Sequence, residues 1–406
     1  SKTDQRYKEA RIIFLDSEQS NWTYDPLRKE YFWHRFFYHQ PDLNYDNPAV
    51  RRAILKTIQF WIDQGVDGIR VDAPPYLFER EGTNCENLPE THAFLKRLRA
   101  FVDAYAPGTM LLSEANQWPE DVIHYFGNGD EMHMNFHFPL MPRLYMALAK
   151  ADRTPIVEIM ARTPELPETC QWGTFLRCHD ELTLEMVTPS ERQWMWDLYA
   201  PEPRMHLNLG IRRRLAPLLG NDPRKILLMH SLLLTMGGSP FLYYGDEIGM
   251  GDDIWLEDRN GLRTPMQWDV SPNAGFSDAP MVKLYAPVIQ DDIYGYAQVN
   301  VAKQSADPSS LLNRIRHLIA VRKTHPTFGW GDFSWVDLGT NAVAAYRREF
   351  QDERLLVVNN LSDQTAELAL PASPTGWLNM LDGQTFNAGK FTLASYQYLW
   401  LLRKAM

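Results

Sequence analysis

Short apolar strands alternate with amphipathic helices as far as about residue 330, and this alternation is the feature that most restricts the fold. One helix is predicted to begin at Pro48, after the capping residue Asn47, and to end at Gly65. Another is predicted over residues 88–105, and a buried one over 226–236. The predicted strands lie at residues 68–72, 110–113, 134–138, 175–177 and 240–244.

Repeating strand–helix units are typical of a parallel eight-stranded barrel that carries its functional residues at the carboxyl ends of the strands. The pattern therefore predicts an α/β fold with five βα units of a (β/α)8 TIM barrel. From about residue 335 short strands follow one another without helices, which predicts a C-terminal antiparallel β-sandwich. These strands are predicted at residues 342–350, 354–360, 366–370, 377–381 and 397–402.

Three carboxylates follow predicted strands of the barrel, namely Asp72, Glu114 and Asp180. Arg70 lies two residues before Asp72, so both side chains point to the same side of a strand. His179 directly precedes Asp180. Taken alone, each carboxylate has the ordinary interpretation of a helix cap or a surface turn residue. Three of them, two with a cationic neighbour, favour a site for glycosyl transfer, which uses paired carboxylates.

The order strand-Asp, strand-Glu and strand-His-Asp resembles the α-amylase superfamily of retaining glycoside hydrolases and transglycosylases. The resemblance implies that Asp72 is the nucleophile, Glu114 the acid/base and Asp180 the transition-state stabiliser. Arg70 and His179 are implied as their partners at the substrate. A nucleophile has to be ionised, which the charge of Arg70 favours. An acid has to begin protonated, so Glu114 is expected in a less polar, carboxylate-rich setting.

Other segments narrow the resemblance to a subfamily. Residues 40–44 and 263–268 are similar to signatures of exo-acting α-glucosidases, sucrose isomerases and trehalose synthases. Four more segments resemble the trehalose synthases in particular: 78–84, 87–92, 179–188 and 210–219. The subfamily implies interconversion of maltose and trehalose by double displacement, with water excluded by a lid. Residues 165–171 and 183–219 are the candidate lid segments.

Three further residues are predicted to bind the sugar. Arg263 belongs to one of the shared signatures, and Asn116 and Glu181 lie just beyond catalytic residues, where they could hold the departing glucose while it turns. Asn116 and Glu181 also have an ordinary interpretation as turn residues. Two other functions stay open, which are a hydrolytic exo-α-glucosidase and an inactive fragment that only binds carbohydrate or serves as a scaffold. The products formed from maltose would separate all three.

The resemblance lacks one part of the superfamily pattern, because the Asp and Asn-His motif of the third barrel strand is not found. The first three βα units are therefore expected to be missing from this chain, which opens on a polar segment without an initiating Met. By resemblance, residues 1–45 end an inserted subdomain and 46–334 form a partial barrel with a lid insertion at about 183–219. Residues 335–406 form the sandwich.

The acidic, Asn-rich surroundings of Asp42 and Glu79 indicate calcium, which prefers carboxylate and carbonyl oxygens. By resemblance the ligands are Asp42, Glu79 and the carbonyls of Tyr76 and Leu77, with another ligand from the missing segment. The alternative is a pair of solvated loop carboxylates. Calcium would be structural, since a retaining carboxylate mechanism needs no metal, and no organic cofactor is expected.

Charge and cysteine content limit the partners and the compartment. A net charge of −10 argues against nucleic acid or an anionic membrane as a partner, while a homo-oligomer stays open. Three cysteines without paired spacing favour a reducing, cytoplasmic compartment. Cys178 precedes His179, but neighbours on a strand face opposite ways, so a packing thiol is predicted rather than a nucleophile.

Overall fold

The computed structural model describes residues 6–373 and 376–403. Within them, unit 1 comprises residues 6–137 and 163–173, and unit 2 comprises residues 138–162 and 174–403, each with its own set of contacts. The predicted division into 1–45, 46–334 and 335–406 stays a prediction, and its residues 1–5, 374–375 and 404–406 lie outside the described residues. Across the described residues, no helix is both long and apolar enough to cross a membrane.

Unit 1 begins with an antiparallel hairpin that the sequence did not predict, followed by alternating helices and strands. The helix predicted at Pro48 begins there, because the Asn47 side chain accepts a hydrogen bond from the Ala49 N–H at 2.9 Å. Gly65 follows its end at φ 93°, which a residue with a side chain rarely adopts. The elements are β1 Trp22–Asp25, β2 Glu30–Trp33, α1 Pro48–Asp63, β3 Gly68–Asp72, α2 Pro89–Tyr105, β4 Met110–Glu114, α3 Pro119–Val122, β5 Met134–Phe136 and β6 Gln171–Phe175.

The strands β3, β4, β5 and the first residues of β6 form a parallel sheet in that order. Its core includes the buried apolar faces of α1 and α2, as the helical spacing predicted. Residues 165–171, one of the two candidate lid segments, reach this core through Leu166 and Cys170, and their role as a lid stays a prediction.

The strand predicted at residues 175–177 is misplaced, since β6 occupies Gln171–Phe175. Gln171 and Gly173 are weak strand formers, so the prediction followed the apolar pair Phe175 and Leu176. Leu176 is buried beyond the strand, where its carbonyl accepts a hydrogen bond from the Tyr145 hydroxyl at 3.2 Å. Asp180 therefore lies in a loop five residues after β6 instead of at its end.

Unit 2 contains the predicted buried helix, which begins at Pro223 after the cap residue Asp222. The strand that follows ends at Phe241, earlier than predicted, because the carbonyls of Tyr243 and Tyr244 accept from the Asp246 N–H and from Arg214 Nη1 outside the sheet. The elements are α4 Leu140–Lys150, α5 Thr154–Ala161, β7 Leu182–Thr183, α6 Pro189–Tyr199, β8 His206–Leu207, β9 Gly210–Ile211, α7 Leu215–Leu218, α8 Pro223–Thr235, β10 Ser239–Phe241, α9 Val301–Ala306, α10 Leu311–Thr324 and α11 Thr327–Trp330.

The end of unit 2 is an antiparallel β-sandwich, as predicted. A sheet in the order β11-β12-β13-β18-β15-β16 packs through a shared apolar core on a two-stranded sheet of β14 and β17. Three of these strands were not predicted separately. The strands are β11 Asp332–Val336, β12 Val343–Phe350, β13 Glu353–Asn360, β14 Ala366–Leu370, β15 Trp377–Asn379, β16 Thr385–Phe386, β17 Gly389–Leu393 and β18 Tyr398–Arg403.

A buried polar network joins α8 to the sandwich. The Ser231 hydroxyl of α8 donates to Asn359 Oδ1 at 2.7 Å and accepts from the Trp400 indole N–H at 2.8 Å. One turn later, the carbonyl of Thr235 accepts from Arg348 Nη1 at 2.8 Å. All five side chains are buried, so each of these polar groups depends on its partner in the other element.

Candidate active site

Unit 1 brings three of the predicted site residues together. Strands β3 and β4 are paired in a register that sets Asp72 directly beside Glu114. Arg70 points to the same side as Asp72, and its Nη2 atom donates to Asp72 Oδ1 at 3.1 Å and to Glu114 Oε2. Asp72 is 70% exposed and Glu114 is 19% exposed. One guanidinium group thus serves two carboxylates at the ends of neighbouring strands.

The shared nitrogen atom limits the distance between the two carboxylates. Two oxygens that bind one nitrogen lie no more than about 6 Å apart, or two hydrogen-bond lengths. Retaining glycosidases separate their carboxyl groups by about 5–5.5 Å, and inverting enzymes by about 6.5–9.5 Å. The pair formed by Asp72 and Glu114 therefore fits the retaining geometry. Asp72 gives Glu114 the carboxylate neighbour expected for an acid, whereas the direct contact with Arg70 makes the setting more polar than expected.

Asn116 lies two residues beyond Glu114, in the loop after β4. Its side chain is half-buried, next to the buried residues Ala115 and Gln117. The predicted role of Asn116 in holding the sugar stays a prediction.

Unit 2 brings the other predicted site residues together around Asp180. Arg263 donates from Nη2 to Asp180 Oδ1 at 2.6 Å, and from Nε to the carbonyl of His179 at 2.8 Å. His179 Nε2 lies 3.2 Å from Asp180 Oδ2, and Arg259 Nε lies 2.9 Å from Oδ1. Asp180 is therefore held from three directions, although its loop belongs to no strand.

Arg259 is a site residue that sequence reasoning missed. Its Nε and Nη2 atoms donate to both oxygens of Glu181, at 2.8 and 3.0 Å. Asn208, in the turn between β8 and β9, donates to the same carboxylate at 3.0 Å. Burial opposes the charge of Arg259, but Glu181 and Asp180 raise its pKa above the ordinary arginine value. Arg259 lies in an irregular loop, where no periodic pattern could have located it.

Cys178 precedes this group without joining its chemistry. Burial raises the pKa of its thiol to about 11, so the thiol stays protonated near neutral pH. This agrees with the predicted packing role. Cys85, Cys170 and Cys178 are free thiols.

The proposed calcium ligands fit a hard cation. Burial raises the pKa of Asp42 to about 6, and burial with the nearby charges of Asp42 and Asp46 raises that of Glu79 to about 7. Asp42 Oδ2 is buried and has no hydrogen-bond partner among the described residues. Tyr76 and Leu77 lie in the turn just before Glu79. No three His, Cys, Asp or Glu side chains converge within the described part of the chain, so carbonyl oxygens would have to complete the site.

Comparison with known proteins gives two family matches. Residues 8–198 and 207–331 match the α-amylase catalytic domain, and residues 333–400 match the C-terminal domain of maltogenic amylases. A crystal structure of an α-amylase from H. orenii superposes with a TM-score of 0.73 at 22% identity, over 100% of this chain and 76% of that one. The parallel sheet, the antiparallel sandwich and these matches confirm the predicted fold class.

Two curated relatives are much closer in sequence. The trehalose synthase/amylase of Mycolicibacterium smegmatis is 57% identical over 93% of this chain and 68% of its own length. Its counterpart in Mycobacterium tuberculosis H37Rv is 59% identical over 89% of this chain and 61% of its own length. The chain thus spans about two thirds of the length of these relatives. The chain belongs to the α-amylase family, within its group of trehalose synthases.

Proposed function

We propose that the protein is a maltose α-D-glucosyltransferase that interconverts maltose and trehalose with retention of configuration. The observation that carries this proposal is the carboxylate pair of Asp72 and Glu114, which share one nitrogen of Arg70 in a chain of the trehalose synthase group. The pair can supply a nucleophile and an acid, and the upper limit of about 6 Å on the distance between their oxygens supports double displacement over single displacement. The substrate is accordingly a small disaccharide.

In the first step Asp72 attacks the anomeric carbon of the non-reducing glucose while Glu114 protonates the glycosidic oxygen. The bond from C1 to O4 breaks, which leaves a β-glucosyl ester on Asp72 and a free glucose. Glu114 must carry a proton for this step, so its contact with Arg70 has to loosen when the sugar binds. Arg70 then keeps its contact with Asp72.

In the second step the free glucose turns so that its O1 hydroxyl faces the intermediate. Glu114, now a base, removes the O1 proton, and O1 attacks C1 as the ester to Asp72 breaks. Two inversions give an α,α-1,1 bond and net retention. Asp180 supplies a negative charge for the oxocarbenium-like transition states, and Arg259 and Arg263 fix its orientation.

Water competes with the turning glucose for the same intermediate, so isomerisation requires a closed pocket. The contacts of Glu181 with Arg259 and Asn208 support closure by the insertion, because they attach its hairpin to a buried cation. An open insertion would give the hydrolytic α-glucosidase that the sequence left as an alternative.

Incubation of the protein with maltose, followed by separation of the sugars, tests the proposal. We expect trehalose as the main early product, and maltose when the reaction starts from trehalose. Mostly glucose would identify a hydrolase, and no turnover by folded protein would identify a binding or scaffold chain. The Asp72→Asn variant controls for contaminating activity.

We also propose that unit 1 binds one structural calcium ion through Asp42, Glu79 and the carbonyls of Tyr76 and Leu77. Two carboxylates that repel one another, one with an unpaired buried oxygen, support this proposal. The ion would neutralise that repulsion and take no part in the reaction. Metal analysis of protein purified in calcium-containing buffer, compared with the Glu79→Gln variant, tests it.

We further propose that the enzyme works in the cytoplasm. The three free thiols support a reducing compartment, since none of them forms a disulfide. Fractionation of cells that express the tagged protein, with a secreted protein as the control, tests the location.

A further inference from the structure

An irregular loop, residues 252–263, is held by arginines from the segment that follows the β8–β9 hairpin. Arg212 donates from Nη1 to the carbonyls of Leu256 and Asp258, each at 2.9 Å. Arg213 donates from Nε to both oxygens of Asp252, at 2.9 and 3.0 Å. The hairpin and the loop are therefore fastened together at several points, and the loop carries Arg259.

A second set of contacts runs from the hairpin to the catalytic loop. Asn208 binds Glu181, and Glu181 binds Arg259 through both of its oxygens. The hairpin also packs tightly here, because a Cβ atom on Gly210 would lie 2.7 Å from both Glu181 Cγ and the Leu182 carbonyl. A shift of Glu181 would therefore change its contacts with the hairpin, and Arg259 keeps both of its bonds to Glu181 only while that carboxylate stays in place.

We infer that Arg259 is a positioning residue that makes the orientation of Asp180 depend on the seating of the β8–β9 hairpin. Its Nε atom is shared by Asp180 Oδ1 at 2.9 Å and Glu181 Oε2 at 2.8 Å. A guanidinium group is planar and rigid, so a shift of the Glu181 carboxylate rotates the whole guanidinium group of Arg259. That rotation weakens the contact between Arg259 Nε and Asp180. This inference rests on the proposed function of Asp180.

The arrangement differs from a simple lid. A lid that only excludes water changes the partition of the intermediate, and leaves the formation of that intermediate untouched. Coupling through Arg259 predicts that an unseated hairpin also slows formation of the glucosyl-enzyme, because Asp180 is then misaligned for the first transition state. Arg263 and His179 still hold Asp180 in that case, so the chemistry is reduced and not abolished.

The first measurement uses Asn208→Ala, a change in the β8–β9 turn that removes the side-chain contact from the hairpin to Glu181. The rate of fluoride release from α-glucosyl fluoride reports the formation of the glucosyl-enzyme without the need for an acid. We expect this rate to fall roughly two- to thirtyfold. An unchanged rate, with a higher ratio of glucose to trehalose, would mean that the hairpin only excludes water and would overturn the inference.

The second measurement is a double-mutant cycle of Asn208→Ala with Arg259→Lys, which keeps the charge and removes the fork. We expect Asn208→Ala to slow fluoride release much less when Lys is already present at position 259, because the coupling is already lost. Independent, multiplicative effects would contradict the inference. Arg224→Lys, at an exposed arginine paired with Asp222, is the matched control and should leave both rates unchanged.

The result is separable from the proposed function. Wild-type protein that makes no trehalose from maltose would refute the function itself. Wild-type protein that makes trehalose, with an additive cycle, would refute only the role of Arg259.

Discussion

The two units differ in how their arginines contact the proposed catalytic carboxylates. In unit 1 one arginine, Arg70, contacts both carboxylates, whereas in unit 2 Asp180 is contacted by two arginines, Arg263 and Arg259, the second of which it shares with Glu181. Asp72 and Glu114 have to change covalent or protonation state during the proposed reaction, so loose and shared contacts suit them. Asp180 has to keep one charge in one place, and redundant contacts suit that task.

Arg70 of unit 1 and Arg259 of unit 2 also differ in how far their side chains are exposed. The Arg70 side chain is 36% exposed, and the Arg259 side chain is 8% exposed. Exposed ion pairs contribute at most about 1 kcal/mol to stability, whereas loss of one partner of a buried pair costs about 3–5 kcal/mol. Substitution of the exposed Asp72 should therefore affect chemistry with little effect on stability, and substitution of the buried Arg259 or Glu181 should affect both.

The largest effect is expected for Asp72→Asn. The amide has the same shape and cannot act as a nucleophile, so kcat on maltose should fall by about 1,000-fold or more. The melting temperature should not change, because the side chain is mostly exposed. Sugar analysis and a thermal melt measure both, with Asp121→Asn at an exposed position as the control. Activity at a tenth of wild type or more would remove Asp72 from its role.

Glu114→Gln should fail differently from Asp72→Asn. Turnover of maltose should fall by about 100- to 10,000-fold, because general acid catalysis is lost. α-Glucosyl fluoride should still react, since fluoride leaves without protonation. Stopped-flow measurement of fluoride release compares the two substrates. If the fluoride reacts no faster than maltose in this variant, Glu114 is not the acid.

Glu181→Ala tests the more buried group of contacts, in unit 2. Loss of the bridge to Arg259 and Asn208 should open the hairpin and raise the early ratio of glucose to trehalose roughly five- to thirtyfold. Maltose consumption should fall much less than in Asp72→Asn, and the melting temperature should drop because a buried cation loses a partner.

Glu202→Ala, at an exposed glutamate of the same insertion, is the control for Glu181→Ala. An unchanged product ratio would show that Glu181 is not part of the gate. Closure of the pocket would then depend on the part of the insertion after Thr188.

The smallest effect concerns Asp42 and Glu79, whose raised pKa values of about 6 and 7 mean that the folded chain retains protons that the unfolded chain has released. Stability without calcium should therefore decrease as pH rises through this window, and the loss should be complete above it. Calcium should raise the melting temperature by a few degrees at pH 8 and by less at pH 5.

Glu79→Gln should remove most of the response to calcium, and Asp63→Asn, away from this pair, should keep it. If calcium does not change the melting temperature of the wild-type protein at pH 8, the calcium site is contradicted.

The sequence predicted those parts of the molecule that depend on local signals. The helix α1 was located by Asn47 and Pro48, and the long sandwich strands β12 and β13 by their runs of apolar residues. The hairpin of β1 and β2 was not predicted, because each strand has only four residues, too few for alternation to stand out, and β2 carries three consecutive aromatic residues.

The site residues, too, could be predicted only where a local sequence signal marks them. Asp72, Glu114 and Asp180 were found because each follows an apolar segment in a recognisable motif. Arg259 and Asn208 were not found, because their importance comes from contacts across 78 and 27 residues of sequence. Non-local contacts between loops leave no periodic trace in the sequence, and only the folded chain brings their partners together.

The hydrogen bonds of Ser231 limit which segments can be exchanged between related proteins. The hydroxyl links α8 to both Asn359 and Trp400 of the sandwich, in a region closed to water. A sandwich transplanted from a relative that lacks Asn359 and Trp400 would leave the Ser231 hydroxyl without a partner in the interior. We therefore expect α8 and the sandwich to be exchangeable only together. A chimera joined before Pro223 should keep these hydrogen bonds, whereas one joined at residue 332 should lose them.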